Sequence, residues 1–142
     1  MSINPIEITY PTDPRLPDYV GLSDPEIRRR SADNQFFISD GVEVVRRLVV
    51  SSMRLRSIVL SPNRVDIMTP ALANVACPIY VADRKVISSV VGFDMHRGVV
   101  GSAFRPDPLT LDEVLSHPPL YGPRHRIAIL EGLSDHENLG AI

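Results

Sequence analysis

The sequence predicts an α/β domain with three layers, a β-sheet enclosed between two layers of helices. Short apolar runs alternate along the chain with longer amphipathic segments, which is the pattern of strands and the helices that cover them. The 142 residues are 44% hydrophobic and 23% charged, the balance of a globular domain. A chain of this length buries roughly two-thirds of the surface that it exposes when unfolded.

Residues 1–22 are predicted to form an extended N-terminal arm. They contain Pro5, Pro11, Pro14 and Pro17 and show no sustained hydrophobic period. Such a segment becomes ordered only where it docks on the rest of the chain.

A helix is predicted to follow the arm. Residues 24–26 supply an N-cap aspartate, a proline at the first helical position and an acid in the first turn. The helix carries Arg28, Arg29 and Arg30 and is expected to end near Asn34.

Strands and helices then alternate. Over residues 42–50 the apolar positions fall on one helical face, opposite Glu43, Arg46 and Arg47. Pro70 is expected to start or kink the second helix of this series. The predicted strands cover residues 35–39, 55–60, 78–82 and 98–104, and the predicted helices cover 42–50, 64–75 and 83 to 90 or 91.

The C-terminal third predicts a short helix, a linker and the start of a second fold. Thr110 and Glu113 have the spacing of a capping box at the start of a helix that ends at Ser116. Residues 127–130 are predicted to be a buried strand that leads into a second capped helix start. The predicted organisation is an arm at 1–22, a domain at 23–116, a Pro-rich linker at 117–123 and the first strand and helix start of a truncated second domain at 124–142.

Composition excludes several classes of protein. No apolar run reaches the ~18 residues of a membrane span, and the N-terminus lacks the pattern of a signal peptide. Cys77 is the single cysteine and is expected to be a small buried apolar residue, which fits a reducing cytoplasm. The net charge is −2, yet the basic residues are nearly all arginine, which permits RNA binding and is also the bias of a GC-rich genome.

Few motifs carry chemistry. Phosphate loops, nucleophile elbows and metal-ligand spacings are missing from the sequence, so we expect no metal site. The glycine-bounded segment 92–98 presents His96 and Arg97, which suit a nucleotide contact but fit a solvated turn equally well. Glu131 and Asn138 lie where a strand end and a helix start are predicted, positions typical of functional groups and of ordinary termini alike.

Residues 129–142, Ile-Leu-Glu-Gly-Leu-Ser-Asp-His-Glu-Asn-Leu-Gly-Ala-Ile, resemble the first motif of the SpoU (TrmH) family of SPOUT RNA methyltransferases. Segments 24–30, 37–43 and 92–100 resemble, in the same order, the N-terminal substrate-binding domain of that family. The resemblance implies an L30e-like RNA-binding domain with a mixed sheet, followed by the first strand of a truncated SPOUT knot domain.

The resemblance also implies an activity and its partners. The family transfers a methyl group from S-adenosylmethionine to a ribose 2′-hydroxyl of ribosomal or transfer RNA, and its members form homodimers through the knot. We expect the RNA to be contacted by Arg28, Arg29, Arg30, His96 and Arg97. We expect the protein to lie in the cytoplasm.

Asn138 matches the motif asparagine that serves the reacting ribose. Its arginine partner and the two later motifs that build the cofactor pocket have no counterpart up to Ile142. We therefore expect the chain as given neither to bind the cofactor nor to catalyse.

Two other readings remain open from the sequence. The first is a stand-alone L30e-like RNA-binding or ribosome-associated module without catalysis. The second, an α/β enzyme for a small molecule, lacks a recognisable nucleophile, base or phosphate loop.

Overall fold

A computed structural model describes residues 3–26, 35–118, 127 and 129–132. The chain divides into two compact units, residues 1–106 and 107–142, which we describe separately. Fully described in the first unit are five strands, β1 (Ile6–Ile8), β2 (Phe36–Asp40), β3 (Leu55–Leu60), β4 (Ile79–Ala82) and β5 (Val99–Phe104), and three helices, α1 (Val42–Val50), α2 (Val65–Leu72) and α3 (Arg84–Val91).

The predicted three-layer α/β architecture with a mixed sheet is confirmed. The strands lie in the order β1-β4-β3-β5-β2. β3 and β1 run parallel to β4, whereas β5 runs antiparallel to both β3 and β2. Successive residues of a strand point to opposite faces of a sheet, so each strand contributes to two cores.

Two hydrophobic cores lie on the two faces of the sheet. Ile58 and Val99 pack with buried residues of α1 and α2, such as Val45 and Met68. Their neighbours Val59 and Val100 pack instead with α3 and with the arm residues Leu16 and Tyr19. The helices predicted from the amphipathic segments therefore cover both faces.

The N-terminal arm docks as an edge strand that the sequence pattern did not reveal. Residues 6–8 form β1, which pairs in parallel with β4, and Ile8 is only 2% exposed. A run of three residues is too short to show a strand period, so only the partner strand reveals it.

The second helix is shorter than predicted. A 3₁₀ turn at Pro62–Arg64 comes first, and α2 begins at Val65 and ends at Leu72. Pro70 lies inside the last turn of this helix, where it neither starts nor ends it.

The helix predicted to follow the arm is described only at its start. Pro25 and Glu26 are helical, and the Glu26 amide donates a 2.7 Å hydrogen bond to the Asp24 carboxylate, as expected of an N-cap. Arg28, Arg29 and Arg30 lie outside the described residues.

A buried ion pair joins the arm to the sheet. Asp18, 7% exposed, accepts hydrogen bonds of 2.6 and 2.9 Å from the Arg56 guanidinium and one of 2.6 Å from the Ser102 hydroxyl. Next to it, the Tyr19 hydroxyl donates a 2.9 Å hydrogen bond to the Ser57 carbonyl. The arm residues thus satisfy polar groups of β3 and β5 while Tyr19 fills the core.

The reach of Arg56 depends on an irregularity in β3. The register between β3 and β5 shifts between Leu55 and Ser57, as in a β-bulge. A bulge inserts one residue and re-aims the side chains next to it. Here it allows Arg56 to meet Asp18 on the same face on which Ser57 contacts Tyr19.

The second unit contains α4 (Leu111–Ser116), and its predicted capping box is confirmed. The Glu113 amide donates to the Thr110 hydroxyl at 3.3 Å, and the Thr110 amide donates to the Glu113 carboxylate at 2.7 Å. The Thr110 hydroxyl also donates to this carboxylate, at 2.8 Å, and the Thr110 amide and hydroxyl together lower the pKa of Glu113.

The buried strand predicted at residues 127–130 is not seen in the described part of the tail. Ile127, Ile129 and Leu130 belong to no strand and are 60%, 91% and 44% exposed. A strand needs a neighbour for its backbone hydrogen bonds, and no described residue pairs with this segment.

We expect Asp18→Asn to lower the free energy of unfolding by about 1.5–3 kcal/mol, because it weakens charge-assisted hydrogen bonds to Arg56 and Ser102. Urea unfolding measures the change. Glu43→Gln is the matched control, since it breaks the exposed pair with Arg46 and should cost less than about 1 kcal/mol. Equal losses in both variants would contradict a structural role for the buried pair.

Candidate functional site

One edge of the sheet collects the ends of several strands. β2, β3 and β4 end there at Asp40, Leu60 and Ala82. β5 begins at the same edge, because it is antiparallel to its neighbours and Val99 lies opposite Leu60. The loops that follow or precede these strands therefore meet at what we call the carboxyl edge. In open α/β sheets this edge is where ligands bind.

The segment between α3 and β5 is fixed at this edge by its glycines. Gly92 ends α3 in the left-handed conformation, with φ of +83°. Gly98 has φ of +69°, and a Cβ added there would overlap the Ser61 hydroxyl and lie 3.1 Å from Arg64. The Ser61 amide and hydroxyl both donate to the Gly98 carbonyl, at 2.9 and 3.1 Å. The loop is thereby locked to the end of β3.

A buried methionine directs the loop's polar side chains outward. Met95 is 1% exposed, and its amide donates a 3.1 Å hydrogen bond to the Ser88 hydroxyl of α3. The next two side chains, His96 and Arg97, are 75% and 64% exposed. The two residues predicted from the glycine-bounded segment thus lie together at the carboxyl edge.

Arg84 orients His96. Its guanidinium lies 2.7 Å from an Asp94 oxygen and 3.1 Å from His96 Nδ1. Because a guanidinium only donates, Nδ1 accepts, and the imidazole carries its proton on Nε2. The Arg84 hydrogen bond lowers the pKa of Asp94. His96 therefore presents an Nε2–H donor and a ring face to solvent.

Arg97 lies over the start of α1. Its Nη1 is 3.6 Å from Asp40 Oδ2, and a Cβ on Gly41 would lie 3.0 Å from Arg97 Cδ. Burial raises the pKa of Asp40, and the charge of Arg97 opposes that rise. Arg64 donates a 3.1 Å hydrogen bond to the Arg97 carbonyl. Asp40, Gly41, Arg64 and Arg97 line one side of a shallow cleft of about 300 Å³.

Hydrogen-bond donors gather on one part of the carboxyl edge. Arg64, Arg84 and Arg97 lie around the loop before β5 with Asp40 and Asp94, whereas Glu7, Asp66 and Asp83 line a separate cleft of the same edge. Arg64 makes no ion pair with a described residue. Such an arrangement binds phosphate groups through guanidinium donors and stacks bases on His or Arg planes.

Sequence reasoning found His96 and Arg97 but missed Arg64 and Arg84. These two follow β3 and β4, and only the sheet order brings them to the loop before β5. The signal in the sequence is an arginine shortly after a predicted strand. It indicates a site only when the strand order shows that these strands end at the same edge. Asn138 and the arginine run at 28–30 lie outside the described residues. Glu131 is an exposed residue of the second unit.

Outside the carboxyl edge, the described residues include one free cysteine and no metal-binding cluster. Burial raises the pKa of the Cys77 thiol to about 11, so it is a thiol at neutral pH. Within the described ranges, no three His, Cys, Asp or Glu side chains are placed to hold a metal ion. A search of the same residues finds no helix that is both long and apolar enough to cross a membrane.

The fold has counterparts among solved structures. It is similar to two crystal structures of rRNA methyltransferase from Sinorhizobium meliloti, one with AdoMet bound. The TM-score is 0.51 at 18% identity, over 71% of this chain and 37% of the other. No protein-family model matches the chain.

Sequence comparison also finds proteins named as RNA methyltransferases. The chain is 34% identical over 140 residues, 96% of its length, to uncharacterized tRNA/rRNA methyltransferases of Mycobacterium bovis and Mycobacterium tuberculosis. It spans 46% of their length, about half. These relatives confirm the resemblance to RNA methyltransferases that the sequence motifs predicted.

We expect Gly98→Ala to lower the free energy of unfolding by about 1–3 kcal/mol, from left-handed strain and the overlap with Ser61. In a Ser61→Ala background the overlapping oxygen is gone, so the same change should cost about 1 kcal/mol less. A double-mutant cycle by urea unfolding measures this difference. Identical costs in both backgrounds would contradict the close contact between the loop and β3.

Proposed function

We propose that this chain is the RNA-recognition domain of a SpoU-type ribose 2′-O-methyltransferase, and that the carboxyl edge is its RNA-binding surface. The observation that carries the proposal is the placement of Arg64, Arg84, His96 and Arg97 on one exposed edge. Similarity to proteins named tRNA/rRNA methyltransferases makes ribosomal or transfer RNA the proposed partner.

Phosphate groups are the first target of this edge. Arg97 Nη1 lies 3.6 Å from the Asp40 carboxylate and donates a long hydrogen bond of 3.5 Å to the Asp40 carbonyl, and Arg97 is 64% exposed. An exposed pair of this kind is worth only about 0–1 kcal/mol, so a phosphate can replace Asp40 as the partner of Arg97 at little cost. Arg64 lies beside it: its Nε donates to the Arg97 carbonyl, and both arginines line the same cleft.

Unpaired bases are the second target. The Nε2–H of His96 can donate to a base edge, and its exposed ring can stack on a base. Arg84 fixes the ring through Nδ1, so less rotational freedom is lost on binding. Phosphate contacts position the RNA, whereas contacts to bases select it. Arg28, Arg29 and Arg30 are proposed to add phosphate contacts.

The methyl-transfer part of the proposal involves the C-terminal motif. In a longer protein, Asn138 is proposed to serve the reacting ribose of the RNA. That protein would transfer a methyl group from S-adenosylmethionine to the ribose and form a homodimer through the knot. A cleft of about 670 Å³ beside β1 and β4 is lined by Glu7, Asp66 and Asp83, and none of the three family motifs falls on these residues.

We expect Arg64→Ala and Arg97→Ala each to weaken binding of labelled ribosomal or transfer RNA fragments by roughly threefold to tenfold at low salt. Each should also reduce the slope of log affinity against log salt by about 0.7–0.9, because one phosphate contact is lost. Fluorescence anisotropy at several salt concentrations measures both quantities.

The matched control is Arg47→Ala, which removes an exposed arginine of α1 that makes no ion pair with a described residue. Equal losses of RNA affinity from Arg47→Ala and Arg97→Ala would show that only net charge matters and would contradict a specific binding surface at the carboxyl edge. Absence of RNA binding by the wild-type chain at low salt would overturn the proposed function of this domain.

We expect isothermal titration of S-adenosylmethionine into the 142-residue chain to give no binding heat, because the chain carries only the first of the three family motifs. Wild-type RNA binding by the same sample serves as the control for folding. Saturable cofactor binding would show a pocket within these residues and would contradict the proposed division between RNA recognition and cofactor binding.

A further inference from the structure

A second basic and aromatic surface lies at the opposite end of the sheet, where β3 begins and β5 ends. The guanidinium of Arg54 lies 3.9 Å from the centre of the Phe104 ring, and that of Arg56 lies 4.7 Å from it. Arg56 also lies 5.0 Å from Phe36, and Arg105 donates a 3.0 Å hydrogen bond to the Phe36 carbonyl. We call these five residues the amino-edge ladder.

The charges of the ladder are only partly neutralised. Asp18 balances Arg56 through its buried ion pair. Arg54 and Arg105 are both exposed, and neither makes an ion pair with a described residue. Two positive charges therefore remain beside the rings, although the whole chain has a net charge of −2.

The ladder borders a cleft with room for a flat ligand. The cleft has a volume of about 300 Å³, and Tyr80 and Phe104 lie on its wall with Arg15 and Arg56. This volume is at the lower end of the range for small-molecule sites. Arg15 is bound to Asp13 and lies 6.0 Å from the Tyr80 ring. The cleft thus combines aromatic surface with guanidinium planes.

We propose that the amino-edge ladder is a second RNA contact, which stacks the bases of an unpaired RNA segment on Arg54 and binds its phosphates through Arg105. This inference rests on the proposed RNA-recognition function. Aromatic rings beside arginines and a positive surface are the elements with which proteins hold single strands, since every base has a face that can stack. The Arg54 plane is already fixed on Phe104 and needs little reorganisation to accept a base.

The two surfaces are separated by the length of the sheet. β3 has six residues and runs from the ladder to the carboxyl edge, a distance of about 20 Å at ~3.3 Å per residue. An RNA that presents a structured part to one edge can reach the other edge with a few extended nucleotides. The ladder would therefore select RNAs that carry an unpaired segment next to the recognised structure.

The test is anisotropy of a labelled oligoadenylate of about twelve nucleotides, a length that fills a single-strand site. We expect Arg54→Ala to weaken its binding by about tenfold, within the range of one lost stacking contact. Arg54→Lys should not restore affinity, because the ammonium group keeps the charge without the plane. Arg47→Ala is the control and should change affinity by less than about twofold.

Separate outcomes distinguish this inference from the proposed function. If binding of structured RNA depends on Arg64 and Arg97 while Arg54→Ala leaves binding of oligoadenylate unchanged, the proposal for the ladder alone is overturned. Full rescue by Arg54→Lys would also overturn it, since charge would then suffice. A wild-type chain that binds neither RNA would overturn both proposals. Two-dimensional amide spectra of each variant establish that the fold is kept.

Discussion

The buried ion pair between Asp18 and Arg56 is the constraint on which the rest of the first unit depends. The arm contains four prolines and only a three-residue strand, so its own backbone provides little to hold it. Asp18 loses its hydration when the arm docks, and only the guanidinium and the Ser102 hydroxyl compensate for that loss. Once they do, Leu16 and Tyr19 close one face of the sheet. The arm thereby completes the layer that α3 forms on this face of the sheet.

Strand geometry shapes the two proposed binding surfaces at the ends of the sheet. The bulge in β3 turns Arg56 toward Asp18 and, in doing so, places its guanidinium against Phe36 and Phe104. At the other end, antiparallel β5 must begin beside the end of β3, and the Gly98 carbonyl accepts from Ser61 there. Rigid strand ends thus position exposed arginines that would otherwise be mobile, which is how a scaffold lends precision to surface side chains.

The elements with a clear period were predictable, and the contacts between distant residues were not. α1 and β3 match residues 42–50 and 55–60 because each carries a full hydrophobic pattern. The strand order, the bulge and the role of Arg64 depend on pairing between segments far apart in sequence. The apolar run at 127–130 is the opposite case. Its hydrophobicity predicts a buried strand, but no described strand offers it a partner.

Charge distribution adds a direction to the proposed RNA binding that total charge does not contain. Glu7, Asp66 and Asp83 line the cleft beside β1 and β4, whereas Arg64 and Arg97 lie toward β2 and β5 on the same edge. Phosphates approaching this edge are repelled on one side and attracted on the other, so the field orients the RNA before contacts form. A chain of net charge −2 can therefore recognise a polyanion, provided that its carboxylates and guanidinium groups are segregated by the sheet.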